Sequence, residues 1–267
     1  MVSGTTNEGT KKLFSETHGH MVGSRGEQNL DQVITKAEQA QVVLVLTAGI
    51  DLPSSVQAVE AAKKYSIVKA CVGIHPWYAD EYNAEAHESL SALIENNAVV
   101  AVSEIGLDFF GRMEHDGKRS EKYVAEEIQQ KTFRGQLRLA KEKGLPVIVH
   151  DRARDSETLE IMKEQQISKF GGAIHGFTGN LGLAKKCIDS GILISVSERA
   201  LTRPENEELR RAIGEIPLEW LLTETDSGSP DGVVKVAERI ADLKGLTPQH
   251  VGNQTTSNLK RLLRIPG

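Results

Sequence analysis

The chain has 267 residues, of which 39% are hydrophobic and 26% charged, a composition typical of a globular protein with a large buried core. Its net charge of −5 excludes a broad basic surface for nucleic acid, although a local site such as a metal pair can still attract phosphate. Aromatic residues make up 4%, which argues against a platform for stacking bases.

The predicted elements follow a polar stretch, residues 1–10, that we expect to be a flexible N-terminal tail. Residues 11–267 are expected to form one domain. Short apolar runs alternate there with segments whose apolar residues recur at helical spacing. The eight predicted strands are 13–17, 42–47, 67–74, a strand beginning at 99, 146–149, 172–174, 192–196 and 220–223.

Helical segments separate these strands. A long helix is predicted over roughly 121–143, after a charged loop at 109–120, with Gly144 just past its end. A final helix begins at Thr247 and Pro248, which suit a helix start. The other predicted helical segments are 27–39, one beginning at Pro53, 90–94, 158–162, 181–188, 209–213 and 233–240.

Eight alternating strand–helix units predict an α/β chain with parallel strands and right-handed crossovers. Their number and length favour a single (β/α)₈ TIM barrel with an extra C-terminal helix. The alternative is an open, doubly wound sheet, which would carry a glycine-rich phosphate turn after its first strand. The residues in that place are His18-Gly19-His20, which do not suit that purpose.

Polar residues stand at the ends of most predicted strands. Since the carboxyl ends of barrel strands meet at one face, these residues are expected to converge there. They are His18, His20, His75, Glu104, His150, His175 and Asp226. Five of the eight histidines thus lie at strand ends. Imidazole together with carboxylate is a ligand set for Zn, Mn, Fe or Ni rather than Ca.

The spacing of these residues predicts a pair of metal ions. His18 and His20 point to the same side of their strand and can bind one ion. His150 and His175 lie on neighbouring strands and can bind a second, with Glu104 between them as a bridge. Taken alone, His75 is more often a structural histidine.

Arg152 follows His150 by two residues and can bind a substrate phosphate with two hydrogen bonds. Its alternative is a surface salt bridge to a loop carboxylate. We assign Arg152 and His75 to substrate binding. Trp77, next to Pro76, is expected to form a wall of the pocket.

The cysteines and the hydropathy of the sequence predict the cellular compartment of the protein. Cys71 and Cys187 lie in a strand-like and a helix-like segment, so we expect two buried thiols in a reducing, cytoplasmic compartment. No apolar run approaches the roughly 18 residues of a membrane span. No obligate protein partner is inferred.

Several short blocks, taken in order, resemble one family. They are Glu16-Thr-His-Gly-His20, Val72-Gly-Ile-His-Pro76, Ser103-Glu-Ile-Gly-Leu-Asp108, Leu145-Pro-Val-Ile-Val-His-Asp-Arg152, His175-Gly-Phe-Thr-Gly179 and Thr223-Glu-Thr-Asp-Ser227. In this order and spacing they are similar to the TatD-type metal-dependent deoxyribonucleases of the amidohydrolase superfamily.

The resemblance implies a TIM barrel with two divalent metal ions, for which Mg, Mn and Zn remain open. It implies that Glu104 bridges the ions, and that Asp226 is both a ligand and the general base toward a metal-activated water. Glu224 belongs to the same block as Asp226, and we assign it to substrate binding and to orienting the site. The remaining implied ligands are His18, His20, His150 and His175. Asp108 receives only a loop-shaping or supporting role.

The implied activity is cleavage of DNA phosphodiester bonds, with a single strand or a 3′ end as substrate. There are departures from the family pattern: Glu16 replaces an Asp, Trp77 replaces a His, and Gly228-Ser229 separates Ser227 from Pro230. The arginine-bearing loop after Asp226 is nearly absent, which leaves the choice of substrate open. The alternatives are an amidase, a lactonase or a small-phosphoester hydrolase on the same scaffold. A catalytically idle barrel that binds nucleic acid or a protein is a further alternative.

Overall fold

The computed structural model describes residues 13–23, 29–111, 120, 123–153 and 156–266. Eight parallel strands lie side by side in sequence order and form a nearly closed barrel. They are β1 Phe14–Gly19, β2 Val42–Ala48, β3 Val68–Val72, β4 Val99–Asp108, β5 Val147–Arg152, β6 Gly172–His175, β7 Ile192–Ser197 and β8 Leu221–Glu224. The predicted TIM barrel is confirmed, and the predicted tail at 1–10 lies outside the described residues.

Helices follow the strands around the outside of the barrel. They are α1 Leu30–Gln39, α2 Leu52–Lys64, α3 Ala84–Ile94, α4 Glu126–Lys143, α5 Glu157–Glu164, α6 Leu181–Asp189, α7 Glu198–Thr202, α8 Glu207–Glu215, α9 Val233–Lys244 and α10 Pro248–Leu263. Polar side chains begin many of them: Asn29, Asp51 and Asn180 each accept a backbone N–H of the first turn. None of the helices in the described ranges is both long enough and apolar enough to cross a bilayer.

Several element boundaries differ from the prediction, and one short helix was not predicted. β4 continues past Glu104 to Asp108, because Leu107 and Asp108 still pair with β5. α4 begins at Glu126 rather than near 121, with two glutamates in its first turn, where the helix dipole favours negative charge. The short helix α7 directly after β7 was not predicted, because five residues are too few to show a periodicity.

The barrel has two apolar layers. One lies between the strands and the surrounding helices, and the other fills the barrel itself. The inner layer consists of Leu44, Leu46, Cys71, Ala101, Ile148, Ala173, Leu193 and Leu222, joined by Leu259, Leu262 and Leu263 of α10. Helix α10 therefore closes one end of the barrel. Cys71 and Cys187 are buried free thiols, as predicted.

The first and last strands meet through side chains and loop backbone. Thr223 Oγ1 donates to the Ser15 carbonyl at 2.8 Å. Glu16 is fully buried, and its carboxylate accepts Thr225 Oγ1 at 2.6 Å, the Thr225 N–H and the His18 N–H. Burial raises the pKa of Glu16 above its usual value, because it outweighs these hydrogen bonds, which lower that pKa. The contacts hold the β1 and β8 ends, both of which carry candidate metal ligands, in fixed register.

Asn258 of α10 is expected to be a strong determinant of stability. It is fully buried, and its amide donates to the carbonyls of Leu218 and Leu221 at 2.9 and 2.8 Å. Asn258→Ala leaves both carbonyls without this donor, so the free energy of unfolding should fall by about 2–4 kcal/mol. Urea denaturation would measure the change, with the exposed Ser257→Ala of the same helix as control. A loss no larger than that of the control would contradict the expectation.

Candidate metal centre

Glu104 lies in the middle of β4 with its side chain only 4% exposed. One carboxylate oxygen, Oε1, faces three histidine rings. It lies 2.7 Å from His150 Nδ1, 2.9 Å from His175 Nε2 and 3.4 Å from His75 Nε2. His150 and His175 are direct neighbours in the β5–β6 register, as the sequence predicted. One acid on β4 is thus shared by ligands from three other strand ends.

The other oxygen of Glu104, Oε2, faces the end of β1. It lies 3.5 Å from His18 Nε2 and 3.6 Å from His20 Nε2. His20 in turn lies 3.2 Å from Asp226 Oδ1. Asp226 adopts a left-handed backbone with φ of 51°, which is uncommon for a residue other than Gly, and its N–H donates to the His18 carbonyl. This hydrogen bond fixes the start of the loop from which the carboxylate reaches His20.

All six residues proposed as ligands therefore lie in one cluster. Three groups of three side chains place their donor atoms within 4.8 Å of one another. These groups are His18, Glu104 and His175; His18, His20 and Asp226; and His75, Glu104 and His150. Glu104 belongs to two of the groups, which is the placement expected of a bridge.

The donor set fits a divalent cation. Within the described part of the chain, neither ring nitrogen of His18 has a hydrogen-bond partner, although both are buried. Buried polar atoms of this kind are normally satisfied, and a cation is the partner that neutral imidazole nitrogens and a carboxylate share. Several histidines around one acid are thus better explained by metal binding than by packing.

The charges of three residues in the cluster agree with ligation. Burial lowers the pKa of His75 to about 4 and that of His18 below its usual value, which keeps both rings neutral. Burial opposes ionisation of Glu104, but the surrounding histidines outweigh it and hold the pKa of Glu104 well below its usual range. The pKa of His175 is raised to about 10, since Glu104 and Glu224 outweigh the effect of burial. Metals require neutral imidazoles and an ionised carboxylate, so His18, His75 and Glu104 have the charge of a ligand, whereas His175 must lose a proton when a metal binds.

Two of the three residues assigned to substrate binding, His75 and Glu224, lie against the histidine cluster. His75 is 2% exposed and packs against Glu104 within the cluster, so it is a candidate ligand. Glu224 is fully buried, accepts the Gly176 N–H at 2.6 Å and lies 3.8 Å from His175 Nδ1. It stands behind His175 because it is still part of β8, whereas Asp226 belongs to the following loop. This position suits the orienting role and not substrate contact.

Arg152 is held at the edge of the cluster by backbone carbonyls. Its Nη1 donates to Asp151 at 2.7 Å and to Gly176 at 3.1 Å. The predicted alternative, a salt bridge to a loop carboxylate, does not occur among the residues that the structure describes. The carbonyls fix the plane of the guanidinium, which leaves its remaining N–H groups for a ligand.

Asp108 takes a larger part than the sequence analysis gave it. Its Oδ2 lies 3.0 Å from His150 Nε2 and accepts Trp77 Nε1–H at 3.0 Å. Its Oδ1 accepts the Phe110 N–H. It therefore fixes the ring of His150, whose Nδ1 points at Glu104. Spacing could have revealed it, since Glu104 and Asp108 are four residues apart on one strand and share a face.

The cluster opens into a cavity of about 700 Å³ at the carboxyl ends of the strands. Trp77 forms part of its wall, as predicted. The opposite wall comes from the segment after β7 and carries Arg199 and Arg203, which no sequence signal marked. The size lies within the range of small-molecule and nucleotide sites. The arrangement can thus present metal ions to a substrate that enters from the open end.

The family model described as "TatD related DNase" matches residues 16–264. The chain belongs to this family. The protein YabD of Bacillus subtilis, named an uncharacterized metal-dependent hydrolase, is 32% identical over 95% of this chain and 100% of its own length. A "3'-5' ssDNA/RNA exonuclease TatD" of Citrobacter koseri is 29% identical over 92% of this chain and 97% of that protein.

Solved structures of TatD homologues share the architecture. The crystal structure of YJJV, a TatD homologue from Escherichia coli, superposes with a TM-score of 0.82 at 27% identity, over 95% of this chain and 98% of that one. This member of the TatD family is accordingly a metal-dependent hydrolase of the ester-cleaving class, as the sequence predicted.

Proposed function

We propose that the protein is a metal-dependent nuclease that cleaves phosphodiester bonds of single-stranded DNA, starting from a 3′ end. The observation that carries the proposal is the cluster of histidines around Glu104, which opens with Asp226 and Arg152 into one cavity. The Citrobacter koseri relative, named a 3′–5′ exonuclease on single-stranded DNA and RNA, supports this substrate class.

The residues that would hold two divalent ions are His18, His20, Glu104, His150, His175 and Asp226, with His75 as a further candidate. When bound, such ions supply Lewis-acid activation of water and neutralise negative charge on the phosphate. Glu104, shared by two of the ligand groups, is proposed as the bridge. Asp108 is a positioning residue, because it acts on the site through His150.

Asp226 is proposed as the general base. Removal of the carboxylate from water raises the pKa of Asp226. The hydrogen bond with His20 and the electrostatic interactions with His175 and His18 outweigh this effect and keep that pKa below its usual value. The carboxylate is therefore ionised at neutral pH, which is the form that a proton acceptor must have. Its side chain is 39% exposed toward the cavity, so a water molecule can reach it. Arg152, whose plane is fixed by two carbonyls, orients the phosphate.

The proposal is tested with metal-stripped protein reconstituted separately with Mg²⁺, Mn²⁺ or Zn²⁺. Single- and double-stranded oligonucleotides carry a label at one end, so the order of products reveals the direction of cleavage. We expect metal-dependent shortening of the single strand from its 3′ end, stopped by EDTA and unaffected by EDTA already saturated with Mg²⁺. Hydrolysis of lactones or amides, with no cleavage of any oligonucleotide, would overturn the proposal.

A further inference from the structure

One wall of the cavity is built by the segment between β7 and α8. Arg199 lies on α7 and Arg203 immediately follows that helix, and both line the same cavity as His20, Glu104 and Asp226. Both side chains are exposed. Among the residues that the structure describes, they and Arg152 are the arginines that line this cavity, whose lining acids are Glu104, Asp108, Glu205 and Asp226.

Arg199 is available to an anionic ligand. In the described ranges its two nearest acids in sequence are occupied elsewhere: Glu198 lies 3.7 Å from Arg239, and Glu205 lies 3.7 Å from Arg203. Neither acid contacts Arg199. Arg203 shares its charge with Glu205 across an exposed contact, which is weak in water. Arg199 is therefore the stronger candidate, with Arg203 as a second donor.

The backbone that carries these arginines is held by other side chains. Ser197 caps α7 by accepting the Ala200 N–H, and Asn206 donates to the Ala200 carbonyl at 2.8 Å. Arg210 of α8 donates to the carbonyls of Leu201, Arg203 and Pro204. Four backbone carbonyls of this short segment accept hydrogen bonds from side chains, so the backbone that carries the two arginines is preorganised.

We infer that Arg199 and Arg203 form a second phosphate subsite, which binds the phosphodiester next to the one at the metal cluster. The inference rests on the proposed nuclease function and names its substrate more closely: a strand with at least two consecutive phosphates rather than a small monoester or single diester. Arginine suits this role, because its planar fork binds phosphate oxygens with two hydrogen bonds.

The affinity of the protein for a single strand tests the subsite independently of catalytic turnover. Arg199→Gln and the double variant with Arg203→Gln are compared with Arg211→Gln, an exposed arginine on α8 paired with Glu215. Metal-loaded protein is titrated into a fluorescently labelled phosphorothioate single strand of about ten nucleotides. Fluorescence anisotropy then measures binding at several salt concentrations. Each lost phosphate contact should reduce the salt slope of log Kd by about 0.7. Slopes equal to those of wild type and Arg211→Gln would overturn the inference.

Kinetics separates this inference from the proposed function. For the double variant, kcat/KM should fall about tenfold more on an oligonucleotide than on bis(p-nitrophenyl) phosphate, which has a single diester. Equal losses on the two substrates would overturn the subsite while leaving the nuclease intact. Failure of the wild-type protein to cleave either substrate would instead overturn the nuclease proposal.

Discussion

Replacing Glu104 by Gln is expected to lower kcat/KM on a single-stranded oligonucleotide by about 10³-fold or more. Lewis-acid catalysis by metal ions is worth several kcal/mol, and each 1.36 kcal/mol is a factor of about ten in rate. Gln keeps the shape of the side chain but removes its charge, and it turns one acceptor oxygen into a donor group. Since both oxygens of Glu104 face histidines of the cluster, no orientation of the amide restores the ligand set.

Metal binding gives a second readout for the same variant. At about 100 times Kd, a metal ion should stabilise the wild-type protein by about 2.7 kcal/mol, which corresponds to a rise in Tm of about 5–10 °C. Glu104→Gln should lose most of this rise and most of the metal found by elemental analysis. Glu60→Gln, an exposed acid on α2, should keep both. Wild-type metal content in Glu104→Gln would show that Glu104 does not bridge.

Asp226→Asn is expected to lower kcat by about 10²–10⁴-fold, the range of general acid–base catalysis. The amide cannot accept the proton of the attacking water, whereas Glu104 and the histidines still offer metal ligands. The metal-induced rise in Tm should therefore fall less than in Glu104→Gln. KM should change by only a few fold, because Arg152 and the cavity wall remain.

The comparison with Asp189→Asn, an exposed acid at the end of α6, controls for surface charge. A kcat of Asp226→Asn close to wild type would identify another group as the base. A loss of metal as complete as in Glu104→Gln would limit Asp226 to ligation. Rates are to be compared at saturating metal, so that weaker binding does not imitate loss of the base.

The barrel and most of the cluster were accessible from sequence because the physical rule is simple. Parallel strands end at one face, so polar residues at strand ends such as His20 and His175 must converge, whatever the details of packing. The sequence also predicted the β5–β6 neighbours His150 and His175, since neighbouring strands in chain order are neighbours in the barrel.

The remaining site residues depend on side-chain directions that sequence spacing alone left undecided. Glu224 and Asp226 are two residues apart, yet one lies behind His175 and the other faces the cavity, because the strand ends between them. His75 could not be assigned without the distance that joins it to Glu104. Arg199 and Arg203 lie on a segment without periodicity, and their common cavity arises only when β7 takes its place in the barrel.

The seam between β1 and β8 has a consequence for biosynthesis. His18 and His20 leave the ribosome before Asp226, and Thr225, the hydrogen-bond partner of Glu16, likewise follows Glu16 by more than 200 positions. A nascent chain therefore cannot assemble the complete ligand set until Asp226 has been synthesised. Helix α10, which closes one end of the barrel, is synthesised later still. Contacts between residues so distant in sequence make folding slow, because the chain loses the entropy of loop closure before these contacts stabilise it. The protein should thus bind metal only after translation, and unfinished chains should have no metal-dependent hydrolase activity.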